Sequence, residues 1–394
     1  MVTAPRYMRA GVPMTDGLQG GDSDGLLGWV QLTNRCNLKC TYCYTESGPQ
    51  AGGGELTMDE AKSVLTELRE AGARIVMLSG GEPTIYPDIE ALIGFACGDL
   101  GLKVTLVSNG THMTPKVLGA LQEHGCTVQV SLDAVDPRLY REIRGNHLLS
   151  KALDGIEHLR RHDIPVTLSV TLTNANKAYA GDIVRYAIDR DIQFVHFAPT
   201  HWKDGSAFQR NLFIKDLEPI LQELYQLQKD NYLYVCIDFI ENLVLPIVLG
   251  VRRQHYCNAM AGRTVEVASD GTAYFCAAQR DVPEMRIGSI KDGQRLTELV
   301  STARNNGRFP DLGAETIEEC RSCEYRYICA GGCRAMTWHQ TGGLHRKHPN
   351  CRELKQFIAQ VKADLESGEI ADYAEFLSAR SKAKSGEDAL LKYF

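Results

Sequence analysis

From Gly28 onward, short runs of β-branched and aliphatic residues alternate with stretches whose apolar positions recur every three or four residues. The runs Trp29–Thr33, Arg74–Ser79, Lys103–Ser108, Thr127–Leu132, Val166–Thr171 and Gln193–Ala198 predict strands. Thr57–Ala71, Pro87–Cys97, Pro115–His124, Lys151–His162 and Tyr179–Arg190 predict the helices between them. This alternation implies an α/β fold of parallel strands with right-handed crossovers, a barrel or part of one, in which functional residues sit at the C-terminal ends of the strands.

The rhythm breaks after Asp216. A helical stretch, Leu217–Lys229, leads to strand-like Val265–Ala268, a turn at Asp270-Gly271 and most of the remaining cysteines. A boundary is therefore expected near 240–255. It separates an N-terminal extension (1–27) and a barrel (28–240) from a cysteine-rich domain (241–360) and a helical tail (361–394), whose segment SARSKAKSGED is expected to fray.

Composition narrows the function. With 394 residues, 44% of them hydrophobic, the chain can build a sizeable core. A formal net charge of −6 with no block of Lys or Arg argues against nucleic-acid binding. The first residues lack an apolar signal region and no run has the length of a membrane span, so a soluble cytoplasmic protein is expected. In that reducing compartment thirteen cysteines point to metal rather than to disulfides.

Three of them, Cys36, Cys40 and Cys43, fall in RCNLKCTYCY just after the first strand run. Three thiolates from one loop do not complete a tetrahedral zinc site without a distant fourth ligand. They suffice for three irons of a 4Fe–4S cube and leave one iron open to a small molecule. The stretch resembles the radical SAM superfamily, in which Cys-x3-Cys-x2-Cys follows the first strand of a partial (β/α)6 barrel and the fourth iron chelates S-adenosylmethionine (SAM). Tyr42 stands at the aromatic position before the last cysteine.

A second stretch, SGGEP, follows the second strand run. Glycines permit close backbone approach, and a carboxylate beside them accepts a bond from an ammonium group. The resemblance implies that Gly80, Gly81 and Glu82 hold the methionine amino group. It also implies that Ser108 and Asn109 in SNG, and Ser131 and Asp133 in SLD, lie near the ribose hydroxyls and the methionine carboxylate, with Arg144 paired to that carboxylate. Asn174 and His196 follow as candidates for the same pocket, with a cap or turn the competing role for Asn174 and a satisfied core histidine that for His196.

The C-terminal cysteines are Cys257, Cys276, Cys320, Cys323, Cys329, Cys333 and Cys351. They resemble the SPASM extension with its auxiliary iron–sulfur clusters, which implies one 4Fe–4S cluster on Cys320, Cys323, Cys329 and Cys351. A second cluster falls to Cys257, Cys276 and Cys333, its fourth site open, filled by His255 or another residue, or closed by substrate. Two zinc sites are the competing assignment, since four thiolates also suit zinc. Cys97 and Cys126 are expected to pack as small hydrophobes. Cys236 is expected in the core, with hydrogen donation to a substrate radical as its alternative role.

The expected function is reductive cleavage of SAM to a 5′-deoxyadenosyl radical that abstracts hydrogen from an unactivated C–H, in maturation of a ribosomally made peptide or protein side chain. The cofactors are SAM and three 4Fe–4S clusters, and the electron donor a flavodoxin or ferredoxin. About 27 residues precede the first strand run, too few for a winged-helix leader-binding domain, so a separate leader-binding protein is anticipated. A radical dehydrogenase or epimerase of a small molecule such as an aminocyclitol or sugar is the alternative substrate class. A non-catalytic electron carrier is the third reading, and the Gly80-Gly81-Glu82 site speaks against it.

Overall fold

The computed structural model describes residues 25–52, 54–200, 213–305 and 309–383. The first strands are β1 (Leu26–Gln31), β2 (Ala73–Ser79), β3 (Lys103–Ser108), β4 (Thr127–Ser131), β5 (Val166–Leu172) and β6 (Phe194–Pro199). Between them run the helices α1 (Met58–Glu70), α2 (Ile89–Gly94), α3 (Pro115–Glu123), α4 (Pro137–Arg144), α5 (Leu149–Arg161) and α6 (Ala180–Asp189). After α7 (Glu218–Asn231) come β7 (Cys236–Ile237), α8 (Asp238–Leu249), β8 (Thr264–Val267), β9 (Thr272–Tyr274), β10 (Arg286–Ser289) and α9 (Leu296–Asn305). The chain continues through α10 (Arg334–Thr341) and α11 (Cys351–Ser367) to α12 (Ala371–Ala383).

The chain forms two compact units, and they cut across the boundary expected near 240–255. One comprises 23–167 and 262–310. In it β1 pairs in parallel with β2, β2 with β3 and β3 with β4. Residues 262–310 were expected to belong with the cysteine-rich region, yet β8 lies parallel to the other edge of β1 and β9 and β10 follow antiparallel. The physical reason is the edge itself: β1 would present unpaired backbone groups there, and β8 satisfies them. The apolar runs of β2 and β3 are buried almost throughout, as strands covered on both faces require. Helix α1 buries Ala61, Val64, Leu65 and Leu68 on one stripe and starts in a capping box between Thr57 and Glu60.

The described residues of the other unit lie within 168–261 and 311–383, and in it β5, β6 and β7 are parallel. Helix α8 occupies Asp238–Leu249 with Pro246 inside it. Part of the segment expected to fray is helical as far as Ala383; its remainder lies outside the described residues.

Candidate active site

In the first unit the cysteine loop begins directly beyond β1 and is fastened along its length. The Cys36 N–H bonds to the Gly48 carbonyl at 3.2 Å, Lys39 N–H to Arg144 O at 3.3 Å, and Thr41 N–H to Ile143 O at 2.9 Å. The turn after β2 is pinned to the same loop: Gly81 N–H donates to Thr33 O at 2.6 Å and Glu82 N–H to Arg35 O at 2.9 Å. A Cβ on Gly81 would lie 2.3 Å from Arg35 O, and one on Gly80 would lie 2.8 Å from Thr33 O. The glycines are thus required by backbone packed on backbone, a reason the sequence did not reveal.

Glu82 is fully buried. Its Oε1 accepts from Thr84 N–H at 3.1 Å, Thr84 Oγ1 at 2.7 Å and Ser108 Oγ at 2.7 Å, and its Oε2 accepts from Asn109 N–H at 2.8 Å. Four donors therefore hold a carboxylate in place, and Oε2, with a single partner among the described residues, retains acceptor capacity. Asn109 also donates from Nδ2 to Asn37 Oδ1 at 2.8 Å, and that nitrogen is 4.0 Å from Cys36 Sγ. Ser108 and Asn109, expected at the ribose, brace Glu82 and the cysteine loop.

Arg144 ends α4, a helix missing from the predicted set although its signals are present. Asp136 caps it by accepting from Arg138 N–H and Leu139 N–H, Pro137 is its first residue, and Gly145 closes it in a left-handed conformation. Arg144 Nε stands 2.6 Å from Asp133 Oδ2, an ion-pair separation in which the N–H itself is not aligned for a hydrogen bond. The Tyr42 hydroxyl donates to the same Asp133 oxygen at 2.5 Å. Arg144 Nη1 is 4.0 Å from Cys40 Sγ. The arginine expected to meet a ligand carboxylate therefore has a carboxylate of the chain beside it. Ser131 is the half-buried last residue of β4.

Burial pushes the Cys36 thiol up to about 12, and the Leu38 N–H directed at its sulfur only partly offsets this. Burial likewise raises Cys40 to about 11 against the pull of Arg144. Such thiols ionise when a metal takes the proton's place, and N–H donors aimed at sulfur suit thiolate ligands of iron. The residues present therefore fit an iron–sulfur cluster. Among the described residues no three of His, Cys, Asp and Glu converge as they would around a single ion; a cube takes each thiolate on a different iron.

In the second unit Asn174 is half-buried, and its side-chain oxygen accepts from Lys215 N–H at 3.4 Å. His196, on β6, hydrogen-bonds through Nδ1 to Asp238, whose other oxygen accepts from Phe197 N–H at 3.0 Å. Burial favours the neutral ring, but the Asp238 charge and its hydrogen bond outweigh burial and raise the His196 pKa. With its side chain 34% exposed, His196 is a paired histidine that is not sealed in the core.

Cys236 is buried with Phe194 and Phe376, in the packed environment expected of a core thiol. Burial first and the Glu241 charge second hold its pKa well above the usual thiol range. In the first unit Cys97 and Cys126 face each other with their sulfurs 3.9 Å apart.

Six of the seven C-terminal cysteines belong to the second unit and sort by which thiols act on one another. After burial, the leading influences on Cys320 include Cys351 and Cys323, those on Cys329 include Cys351 and Cys320, and those on Cys351 include Cys323. For Cys257, raised to about 11, the thiol that acts after burial is Cys333. Between Cys329 and Cys333 the chain turns through left-handed Ala330, Gly331 and Gly332, and a Cβ on Gly332 would lie 2.6 Å from His348. His255 Nε2 is 3.8 Å from Asp311 Oδ1. Cys276 belongs to the first unit, where its charge and that of Cys43 both raise the half-buried Tyr44, after desolvation, Glu266 and the opposing Arg280.

Residues 30–187 match the Radical SAM superfamily model. The chain is an enzyme with a mixed α/β partial-barrel fold. More particularly, it is 27% identical over 324 residues to the PqqA peptide cyclase of Bradyrhizobium diazoefficiens, covering 82% of this chain and 84% of that protein. It is 29% identical over 346 residues to the AdoMet-dependent heme synthase of Methanosarcina barkeri, covering 83% and 95%. The structure of native anSMEcpe with bound AdoMet and Cp18Cys peptide aligns with a TM-score of 0.73 at 22% identity, over 90% of this chain and 99% of that one. Streptococcus suis SuiB bound to S-adenosylmethionine aligns at 0.64 and 17% identity, over 83% and 76%. Among the described residues no helix is long and apolar enough to cross a membrane.

Proposed function

We propose that this enzyme is a cytoplasmic peptide maturase that forms a cross-link or an oxidised side chain in a ribosomally made peptide. When bound, the cluster on Cys36, Cys40 and Cys43 supplies the electron that cleaves SAM to a 5′-deoxyadenosyl radical able to take hydrogen from an unactivated carbon. The chain's own part is to orient and to exclude water. Glu82, held by Thr84, Ser108 and Asn109, offers Oε2 to the methionine ammonium, and Tyr42, Asp133 and Arg144 brace the loop. Asn174 and His196 remain candidates for the SAM pocket, and Cys236 for hydrogen donation. Cys320, Cys323, Cys329 and Cys351 hold one auxiliary cluster, and Cys257, Cys276 and Cys333 hold another. A flavodoxin or ferredoxin supplies electrons, and a separate protein delivers the leader.

The observation that carries the reading is the fastening of the Gly80–Glu82 turn onto the cysteine loop. It fixes a buried carboxylate close enough to Cys36 for its charge to act on that thiol. A carrier of electrons has no use for that carboxylate. The peptide substrate is supported by likeness to PqqA peptide cyclases over most of the chain. Likeness to a protein named AdoMet-dependent heme synthase favours a small molecule as the second reading.

The test uses anaerobically reconstituted full-length protein with SAM, dithionite and the short peptides encoded beside its gene, with a tetrapyrrole in a parallel arm. Formation of 5′-deoxyadenosine with a loss of hydrogen from the peptide supports maturation. Turnover confined to the tetrapyrrole arm overturns it.

A further inference from the structure

Two guanidinium groups are buried in the unit that carries Cys257, Cys320, Cys323, Cys329, Cys333 and Cys351. Arg253 is 3% exposed and Arg334 1% exposed. Among the described residues both are hydrogen-bonded to backbone carbonyls alone. Arg253 donates from Nε to Ile328 O at 3.0 Å, and from Nη2 to the same oxygen. Arg334 donates from Nε to Gly332 O at 3.2 Å, and from Nη1 to Leu344 O at 3.1 Å and Arg346 O at 2.8 Å. Each keeps one buried nitrogen with no partner among the described residues, Nη1 in Arg253 and Nη2 in Arg334. Among the described residues neither makes an ion pair with a carboxylate, in contrast to buried Arg144 and Arg380, which face Asp133 and Glu241.

A buried cation without a counter-charge is among the costliest arrangements in a folded chain. Burial weighs against the charge of both arginines. The acidic groups that favour it are Tyr256, Cys329 and Cys257 around Arg253, and Cys333, Cys320, Cys329 and Cys257 around Arg334. As neutral thiols these cysteines leave both cations uncompensated. As ligands of iron–sulfur clusters they carry the missing negative charge, and hydrogen bonds to cluster sulfur are an established lever on potential.

We propose that Arg253 and Arg334 are the buried counter-cations of the auxiliary clusters, directing their unpartnered N–H groups at thiolate or cluster sulfur and raising the cluster potentials. The proposal rests on the assignment of iron–sulfur clusters to these thiols in the proposed function. The two arginines are potential-setting residues and take no part in bond making. They stabilise the reduced state, which carries the larger negative charge, more than the oxidised state.

The experiment is an EPR-monitored redox titration of full-length, anaerobically reconstituted protein as wild type, Arg334→Met, Arg334→Lys, Arg253→Met and Arg253→Lys, with iron and zinc counted in each. The Met variants are expected to move an auxiliary-cluster signal to more negative potential while the signal from the Cys36, Cys40 and Cys43 cluster stays in place. The Lys variants should recover most of the shift. Met variants with full iron and unmoved potentials overturn the inference and leave the cluster assignment standing. Wild-type protein with iron for a single cluster, or with zinc on the C-terminal cysteines, overturns the assignment and the inference with it. Should the Met variants fail to fold, wild-type protein labelled with 15N-arginine decides. Nitrogen hyperfine coupling on the reduced auxiliary signals is expected, and its absence overturns the proposal.

Discussion

Tyr42 donates its hydroxyl hydrogen to Asp133 across 2.5 Å, tying the cysteine loop to the residue that follows Leu132 beyond β4. Asp133 is also the only carboxylate paired with buried Arg144 among the described residues. Removing its charge while keeping its shape, by Asp133→Asn, leaves that cation buried without a partner. The expected destabilisation is about 3–5 kcal/mol. Tyr42→Phe loses a hydrogen bond and should cost about 1–2 kcal/mol. Denaturant unfolding of the two variants checks the order, and equal losses would contradict it.

Glu82→Gln retains an oxygen for Thr84 and Ser108 but loses the charge. The fold should survive, and SAM affinity should fall by about 10- to 150-fold, the equivalent of roughly 1.5–3 kcal/mol for a charge-assisted bond. Glu82→Ala is expected to unfold more readily as well, because it strands the buried donors from Thr84, Ser108 and Asn109. Equilibrium titration with SAM beside a melting curve separates the two effects. Unchanged affinity in the Gln variant would remove Glu82 from the cofactor site.

Replacing Cys36, Cys40 and Cys43 together by Ala should remove about four irons per chain and abolish SAM cleavage. The C-terminal clusters should remain visible by EPR. Iron analysis beside an assay for 5′-deoxyadenosine tests this, and a variant that keeps all its iron would refute the ligand assignment.

His196 carries a pH dependence whose sign follows from its partner. Its pKa in the folded chain lies above the unfolded value of about 6.5, so its pairing with Asp238 contributes fully below that pH and is lost as pH rises through the folded value. The wild-type Tm should therefore fall relative to that of His196→Gln as pH increases from about 6 to 8.5. Parallel curves for the two proteins would show that the pair does not titrate in this window.

The strand and helix rhythm was readable because parallel strands covered on both faces need continuous apolar runs, and their helices need a single apolar stripe. β3 falls where the pattern predicted it, and β2 begins one residue earlier. The cysteine spacing and SGGEP were readable because they are local in the chain. Helix α4 is marked in the sequence only by Asp136, Pro137 and Gly145, since its few buried residues give no long periodic stripe.

What the sequence determined by itself is the class of chemistry: three thiols spaced along one loop after a strand, and a carboxylate placed after the next. Only the tertiary structure decided how that chemistry is held. Gly81 is fixed by contact with Arg35, Arg144 is paired with Asp133 across ten intervening positions, and β8 is joined to β1 from far along the chain. It also decided that, among the described residues, Arg253 and Arg334 are buried without a carboxylate partner. Pairings of this kind are set by chain topology and burial. No local pattern of residues encodes them, because the free energy that selects them arises when distant segments leave water together.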